Sequence, residues 1–239
     1  MKSNVLFNLI CIFHSGEAGV GIADLISYAI SFETGKSISE ARKNIYLVDS
    51  KGLVTKSRFS SLQSHKRDYA HDVDACPDLL TAINVLKPTA LIGVSAVPKS
   101  FTEEICRKMA ELNRTPIIFA LSNPTSKAEC TPHEAYSWTE GRAVFASGSP
   151  FAEVNFKSRV ITPGQGNNAY VFPGIGLGAM ASGATKITQH DMYVAAKALA
   201  SLVSEDQISK GCVYPSLSGK ILTERFESFF ALFSIFSKT

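Results

Sequence analysis

Leu121-Ser-Asn-Pro-Thr-Ser-Lys-Ala-Glu-Cys130 leaves directly from an apolar run over 117–121, and the transition recurs along the chain. Phe145-Ala-Ser-Gly-Ser-Pro-Phe151 does the same after 143–146, and Thr162-Pro-Gly-Gln-Gly-Asn-Asn-Ala-Tyr170 again gathers small polar residues and asparagines. Such segments read as loops at the carboxyl ends of strands, the edge where an open α/β sheet receives a ligand. Working outward, candidate strands over 6–13, 45–49, 90–94, 117–121 and 143–146 alternate with helical periodicity over 18–32, 78–86, 102–112 and 132–139. Later helices are expected over 174–183 and 191–202. The alternation predicts an α/β fold with a doubly wound, mostly parallel sheet. Thr102 before Glu103 and Glu104, and Thr131 before Pro132 and Glu134, are helix-start signals.

Composition sets broad bounds. The chain has 239 residues, with 45% hydrophobic and 19% charged, ordinary for a soluble globular protein of one large or two small domains. A net charge of +3 with no dominating basic run gives no case for nucleic acid. Five cysteines without a CxxC pair read as reduced thiols, hence an intracellular, cytoplasmic expectation. The run over 5–13 has the look of a short signal-peptide core, but it is shorter than the ~20 residues that span a bilayer and flows into a glycine turn. We read it as a buried first strand and expect no membrane association. Residues 1–215 read as one domain and 216–239 as a separate tail, in which Phe226, Phe229, Phe230, Phe233 and Phe236 fall on one helical face. Such a stripe is either core or a patch for association, as a homo-oligomer or with longer subunits.

Gly16-Glu17-Ala18-Gly19-Val-Gly21 sits at the first strand-to-helix turn. Glycines there permit a tight turn and close backbone approach, and a helix N-terminus offers amide donors to a pyrophosphate; ordinary helix–strand packing is the alternative. The second strand ends in Asp49, an acid suited to a ribose 2′-hydroxyl and hence to NAD. Ser50, Arg58 and Lys66 argue for NADP, since a small hydroxyl leaves room and basic side chains neutralise a 2′-phosphate; a solvated basic loop is the bland alternative. Asn123, Asn167 and Asn168 lie in glycine- or proline-bounded loops and offer both donor and acceptor, although single loop asparagines are usually turn formers.

Taken together, the glycine loop and the strings Leu121–Thr125 and Pro163–Asn168 resemble the nicotinamide-dinucleotide domain of malic enzymes, from about Gly16 to Pro215. The resemblance implies a Rossmann-like domain serving oxidation of malate to pyruvate and CO2 with reduction of NADP. It implies cofactor contacts at Gly16, Glu17, Ala18, Gly19, Asp49, Ser50, Arg58, Lys66 and Asn123, and malate contacts at Asn123, Asn167 and Asn168. Two departures stand out. His14 and Ser15 replace the first glycine and alanine of the family's loop; a positive φ at His14 would cost ~1 kcal/mol or more. Ile92-Gly-Val-Ser-Ala-Val-Pro-Lys99 carries Ala96 and Pro98 where the family has glycines, and Pro98 removes an amide donor.

In that family the acid–base tyrosine and lysine and the acidic ligands of Mg2+ or Mn2+ precede the glycine loop. The chain therefore reads as an N-terminally truncated form, expected to lack malate turnover by itself or to act as a non-catalytic binding or assembly fragment. Asp72, Asp74 and Asp78 read as solvated loop and capping charge rather than metal ligands, and His65 and His71 lack partners at ligand spacing.

Overall fold

Five apolar runs form the parallel body of a sheet. They are β1 (Ile10–Phe13), β2 (Ile45–Asp49), β4 (Ala90–Gly93), β5 (Ile117–Ala120) and β6 (Val144–Ser147), while β3 (Gly52–Leu53) pairs antiparallel with β2. The spatial order is β3-β2-β1-β4-β5-β6, with Ile10 opposite both Ile45 and Ala90. Helices α1 (Glu17–Thr34), α2 (Ile38–Arg42), α3 (Leu79–Leu86), α4 (Glu103–Leu112) and α5 (Pro132–Trp138) alternate with the strands. These coordinates are a computed structural model that describes residues 10–13 and 16–215. They divide into two compact units, one ending at Pro163 and one beginning at Gly164.

In the first unit the pleat sends alternate residues to opposite faces. Ile12, Leu47 and Ile92 pack with Val20 and Ala23 of α1. Cys11, Val48 and Leu91 belong to the cluster with Ile83 of α3, Ile105 and Met109 of α4 and Tyr136 of α5. Each fully buried Ile or Leu contributes about 1.5–3 kcal/mol. Helices on both faces and a reversal of strand order between β1 and β4 make the sheet doubly wound, as expected. The reversal puts the binding crevice outside the carboxyl ends of those two strands.

Local chemistry sets the helix boundaries. Asp78 accepts a hydrogen bond from the Thr81 amide and caps α3, so its capping role is observed. Thr102 caps α4, and Thr131 with Glu134 forms a reciprocal box around Pro132. A similar box, Ser37 with Glu40, starts α2, which the periodicity had not indicated. β7 (Val154–Phe156) and β8 (Arg159–Ile161) form an unanticipated hairpin whose turn holds Lys157 at φ 54°.

The second unit contains α6 (Phe172–Ser182), α7 (Gln189–Ser201) and α8 (Glu205–Ser209). Ile175 of α6 and Ala195 of α7 form a small core with Val171, Met192 and Val194. Gly183, at φ 66°, ends α6 in a left-handed cap, and Thr188 with Asp191 starts α7. The Tyr170 hydroxyl donates to the Pro215 carbonyl, and its ring stacks on Tyr214. Among the described residues no helix is long and apolar enough to cross a membrane. The first part of the 6–13 strand, His14, Ser15 and the phenylalanine stripe lie outside the described residues.

Candidate dinucleotide site

The crevice begins at the start of α1. Gly16 is the N-cap, with φ −72° and ψ −176°, and no side chain caps the helix. The amides of Glu17, Ala18 and Gly19 therefore have no intrahelical acceptor and are free to meet an anion. Gly19 is buried, a packing glycine, whereas a Cβ on Gly21 would meet nothing within 4 Å. Packing does not account for Gly21, and open space above the first helical turn suits close approach by a ligand.

At the starts of α3 and α4, a cavity of about 380 Å3 is lined by Phe13, Asp49, Ser50, Leu79, Ser100 and Thr102, among others. It sits at the carboxyl ends of β1 and β2 and has the size of a small-ligand pocket. Ser100 Oγ is buried and lacks a hydrogen-bond partner among the described residues. An orphaned hydroxyl in a pocket wall is what a polar ligand would satisfy. A second cavity of about 400 Å3 lies beside the amino end of β2, lined by Arg42, Lys56, Asp68, His71 and Asp72. Two of its cations are already paired, Arg42 with Asp24 and Asp68 and Lys56 with Asp72, and it lies away from the crevice. There His71 stacks on Tyr46 and bonds the Ile45 carbonyl; burial holds its pKa below the usual value.

Asp49, Arg58 and Lys66 come together as one cluster. Arg58 Nη2 donates to both Asp49 oxygens at 2.9 and 3.0 Å, and Lys66 Nζ lies 3.4 Å from Oδ2. Lys51 N donates to Oδ1 at 2.9 Å, so both oxygens are occupied. Arg58 Nη1 also donates to the Gly52 and Leu53 carbonyls, which fixes the β2–β3 turn. Burial opposes the charged form of Asp49, but the Lys51 amide, Arg58 and Lys66 outweigh it and hold the carboxyl below its ordinary value. One acid against two cations leaves a net positive cluster beside exposed Ser50. Arg58 and Lys66 ride on 3-10 turns, Lys56–Ser61 and Ser64–Tyr69. The second turn is anchored to α1, because the Tyr69 hydroxyl donates to Asp24.

Asn123 is exposed at the carboxyl end of β5, and its Oδ1 accepts from Ser149 Oγ at 2.6 Å. A Cβ on Gly148 would come within 2.2 Å of the Leu121 carbonyl and 2.7 Å of Asn123 Nδ2, so glycine is required for this approach of the β5 and β6 loops. In the second unit Asn167 Oδ1 accepts from the Ala169 amide, a local turn-forming role, and Asn168 is exposed. Three residues escaped the sequence reading: Ser100, Ser149 and Glu129. Glu129 lies between Ala128 and Cys130, both buried, and no sequence signal marked it.

The residues present thus fit a dinucleotide, with free helix-start amides, a pocket of suitable volume and an orphaned hydroxyl in its wall. Comparisons with known proteins agree. Residues 2–222 match the family described as malic enzyme, NAD binding domain. The chain is 55% identical over 201 residues to NADP-dependent malic enzyme 3 of Arabidopsis thaliana, covering 84% of this chain and 34% of that protein. It is 52% identical over 204 residues to the chloroplastic NADP-dependent malic enzyme of Solanum lycopersicum, covering 85% and 36%. The fold is similar to a crystal structure of a putative malic enzyme (malate oxidoreductase), with TM-score 0.64 and 22% identity over 96% of this chain and 51% of that one. The chain thus spans about a third of the length of the curated relatives it matches. By the match over residues 2–222 and this level of identity, it belongs to the malic enzyme family, of which it carries the NAD-binding domain.

Proposed function

We propose that this chain binds NADP in preference to NAD and serves the oxidative decarboxylation of malate to pyruvate and CO2. The observation that carries the cofactor choice is the Asp49 cluster. Both carboxyl oxygens already accept hydrogen bonds, so they are poorly placed to take a ribose 2′-hydroxyl, while Lys66 and Arg58 beside Ser50 leave positive charge for a 2′-phosphate. The names of the relatives, NADP-dependent malic enzymes, support the same reading.

When bound, the nicotinamide ring supplies the acceptor for the hydride leaving malate. The chain's own residues hold the ligand in place. The amides opening α1 receive the pyrophosphate, the cavity at β1 and β2 takes the adenosine half, and Asn123 offers donor and acceptor to the nicotinamide or malate end. For the second unit taken by itself, Asn167 and Asn168 are proposed as malate-carboxylate contacts on the family resemblance alone. Among the described residues no three His, Cys, Asp or Glu gather as a metal site, and we assign Mg2+ or Mn2+ to none of them. We propose, from the family resemblance, that decarboxylation is a reaction this domain serves together with further groups; steady malate- and Mn2+-dependent reduction of NADP+ by this chain alone would overturn that part.

The test of cofactor choice is calorimetric titration of the chain and of Lys66→Gln with NADP+ and with NAD+. A charged hydrogen bond lost to the phosphate should weaken NADP+ by about tenfold or more, with NAD+ nearly unchanged. Equal losses for the two would sink the assignment.

A further inference from the structure

A buried carboxyl group without a cation lies beneath the loops that leave β4 and β5. Glu129 is fully buried, and no lysine, arginine or histidine pairs with it among the described residues. Its Oε1 accepts from Ser95 N at 2.8 Å, Ser95 Oγ at 3.0 Å and Ser122 Oγ at 2.5 Å, and its Oε2 accepts from Ser122 N at 3.3 Å. The serines pass the arrangement outward: Ala96 N donates to Ser122 Oγ and Val97 N to Ser95 Oγ. Backbone bonds from Lys99 N to the Ala128 carbonyl and from Phe101 N to the Glu129 carbonyl fold the β4 loop around it. Gly93 makes the space, since a Cβ there would lie 2.6 Å from Glu129 Cδ.

Packing alone does not call for this residue type. Between Ala128 and Cys130 an apolar side chain would fill the same volume without burying a polar group. Four donors converge here from two loops, and a carboxyl group, with two acceptor oxygens, is the side chain able to take them all. What they hold is the edge of the crevice. Ser122 immediately precedes Asn123, whose carboxamide is steadied from the far side by Ser149. A dinucleotide lying across a doubly wound sheet puts one nucleotide over β1 and β2 and the other over β4 and β5.

We propose that Glu129 is a positioning residue for the second nucleotide half. By tying Ser95 to Ser122 it sets the Ala96–Val97 backbone and aims the Asn123 carboxamide over the crevice. The inference rests on the dinucleotide reading above, and its reach is limited to one half of the ligand, because β1 separates these loops from the Asp49 cluster on β2.

The test is titration of the chain, Glu129→Gln and Ser122→Ala with two probes, NADP+ and adenosine 2′,5′-bisphosphate, alongside thermal unfolding. Glutamine keeps an acceptor where three of the four bonds converge and sets its carboxamide NH2 against the Ser122 amide, so it is the gentler change; should it fail to fold, Ser122→Ala carries the test. The expected result is NADP+ weakened by about tenfold in both variants, with bisphosphate binding unchanged. Parallel loss of both probes with a falling melting temperature would reduce Glu129 to a fold element, and unchanged NADP+ binding would overturn the proposal outright. If the unaltered, folded chain takes neither probe, the dinucleotide reading itself fails, an outcome distinct from the other two.

Discussion

Two carboxyl groups at the carboxyl edge of one sheet are satisfied in opposite ways. Asp49, at the end of β2, is held by one arginine nitrogen that reaches both its oxygens and by a lysine; Glu129, under β4 and β5, is held by two serines and their amides. The first arrangement gathers charge at the surface of the crevice and leaves a positive excess, suited to attracting an anionic ligand. The second gathers none. Short neutral donors on two loops fix geometry without adding a field that a ligand would feel. One edge of the crevice is thus built for electrostatic choice and the other for shape.

The comparison breaks most severely at the shape side. Gly148→Ala would drive a methyl group to 2.2 Å from the Leu121 carbonyl oxygen and 2.8 Å from its carbon. Both are backbone atoms and cannot swing away, so the β5 and β6 loops must part. We expect a loss of about 3 kcal/mol or more in urea unfolding, at the upper end for overpacking. A loss below ~1 kcal/mol would show that these loops yield easily, and that the shape side is softer than the contacts imply.

At the charge side Arg58→Ala should cost less, about 2 kcal/mol. It leaves Asp49, whose side chain is 12% exposed, with the Lys51 amide and only the longer Lys66 ion pair, and frees two carbonyls at the β2–β3 turn. The cluster also predicts a pH dependence. The Asp49 pKa is lowered in the folded chain, so its contribution is fully present above the ordinary value of 3.8 and disappears as pH falls through the lower folded value. The acid limb of stability should move upward in Arg58→Ala. An acid limb that does not move would mean Arg58 acts through the turn carbonyls and not through charge.

The strand core was legible in the sequence because buried parallel strands read as uninterrupted apolar runs and their helices begin with capping hydroxyls. Asp78, Thr102 and Thr131 announced three helices within a residue of where they start. The β7–β8 hairpin was not legible: its turn uses Lys157 and Ser158 where glycine or asparagine usually signals the reversal. On the site side, Asp49, Arg58 and Lys66 were readable as a charge group, but not that the cations would occupy both carboxyl oxygens. Glu129 was invisible for a physical reason. Its four donors come from serines 34 and 7 positions away, and no local pattern distinguishes a buried glutamate from a solvated one.

The smallest effect sharpens the comparison from within the shape side. Pro98 was expected to be the residue that reshapes the β4 loop, yet the left-handed positions are Ala96 at φ 53° and Lys99 at φ 60°. Ala96 is exposed, so its methyl group contributes no buried contact. Its amide is drawn to Ser122 Oγ at 2.8 Å, part of the Glu129 arrangement, which holds a non-glycine residue where it carries ~1–2 kcal/mol of steric strain. Ala96→Gly removes that strain but adds freedom to the unfolded chain, for a net gain of about 0.5–1 kcal/mol and a melting temperature higher by roughly 2–3 °C. The gain should shrink in a Glu129→Gln background, where the loop is less firmly held in that conformation. An equal gain in both backgrounds would separate the strain at Ala96 from the buried carboxyl group, and a loss in either would show that the left-handed backbone costs this loop nothing.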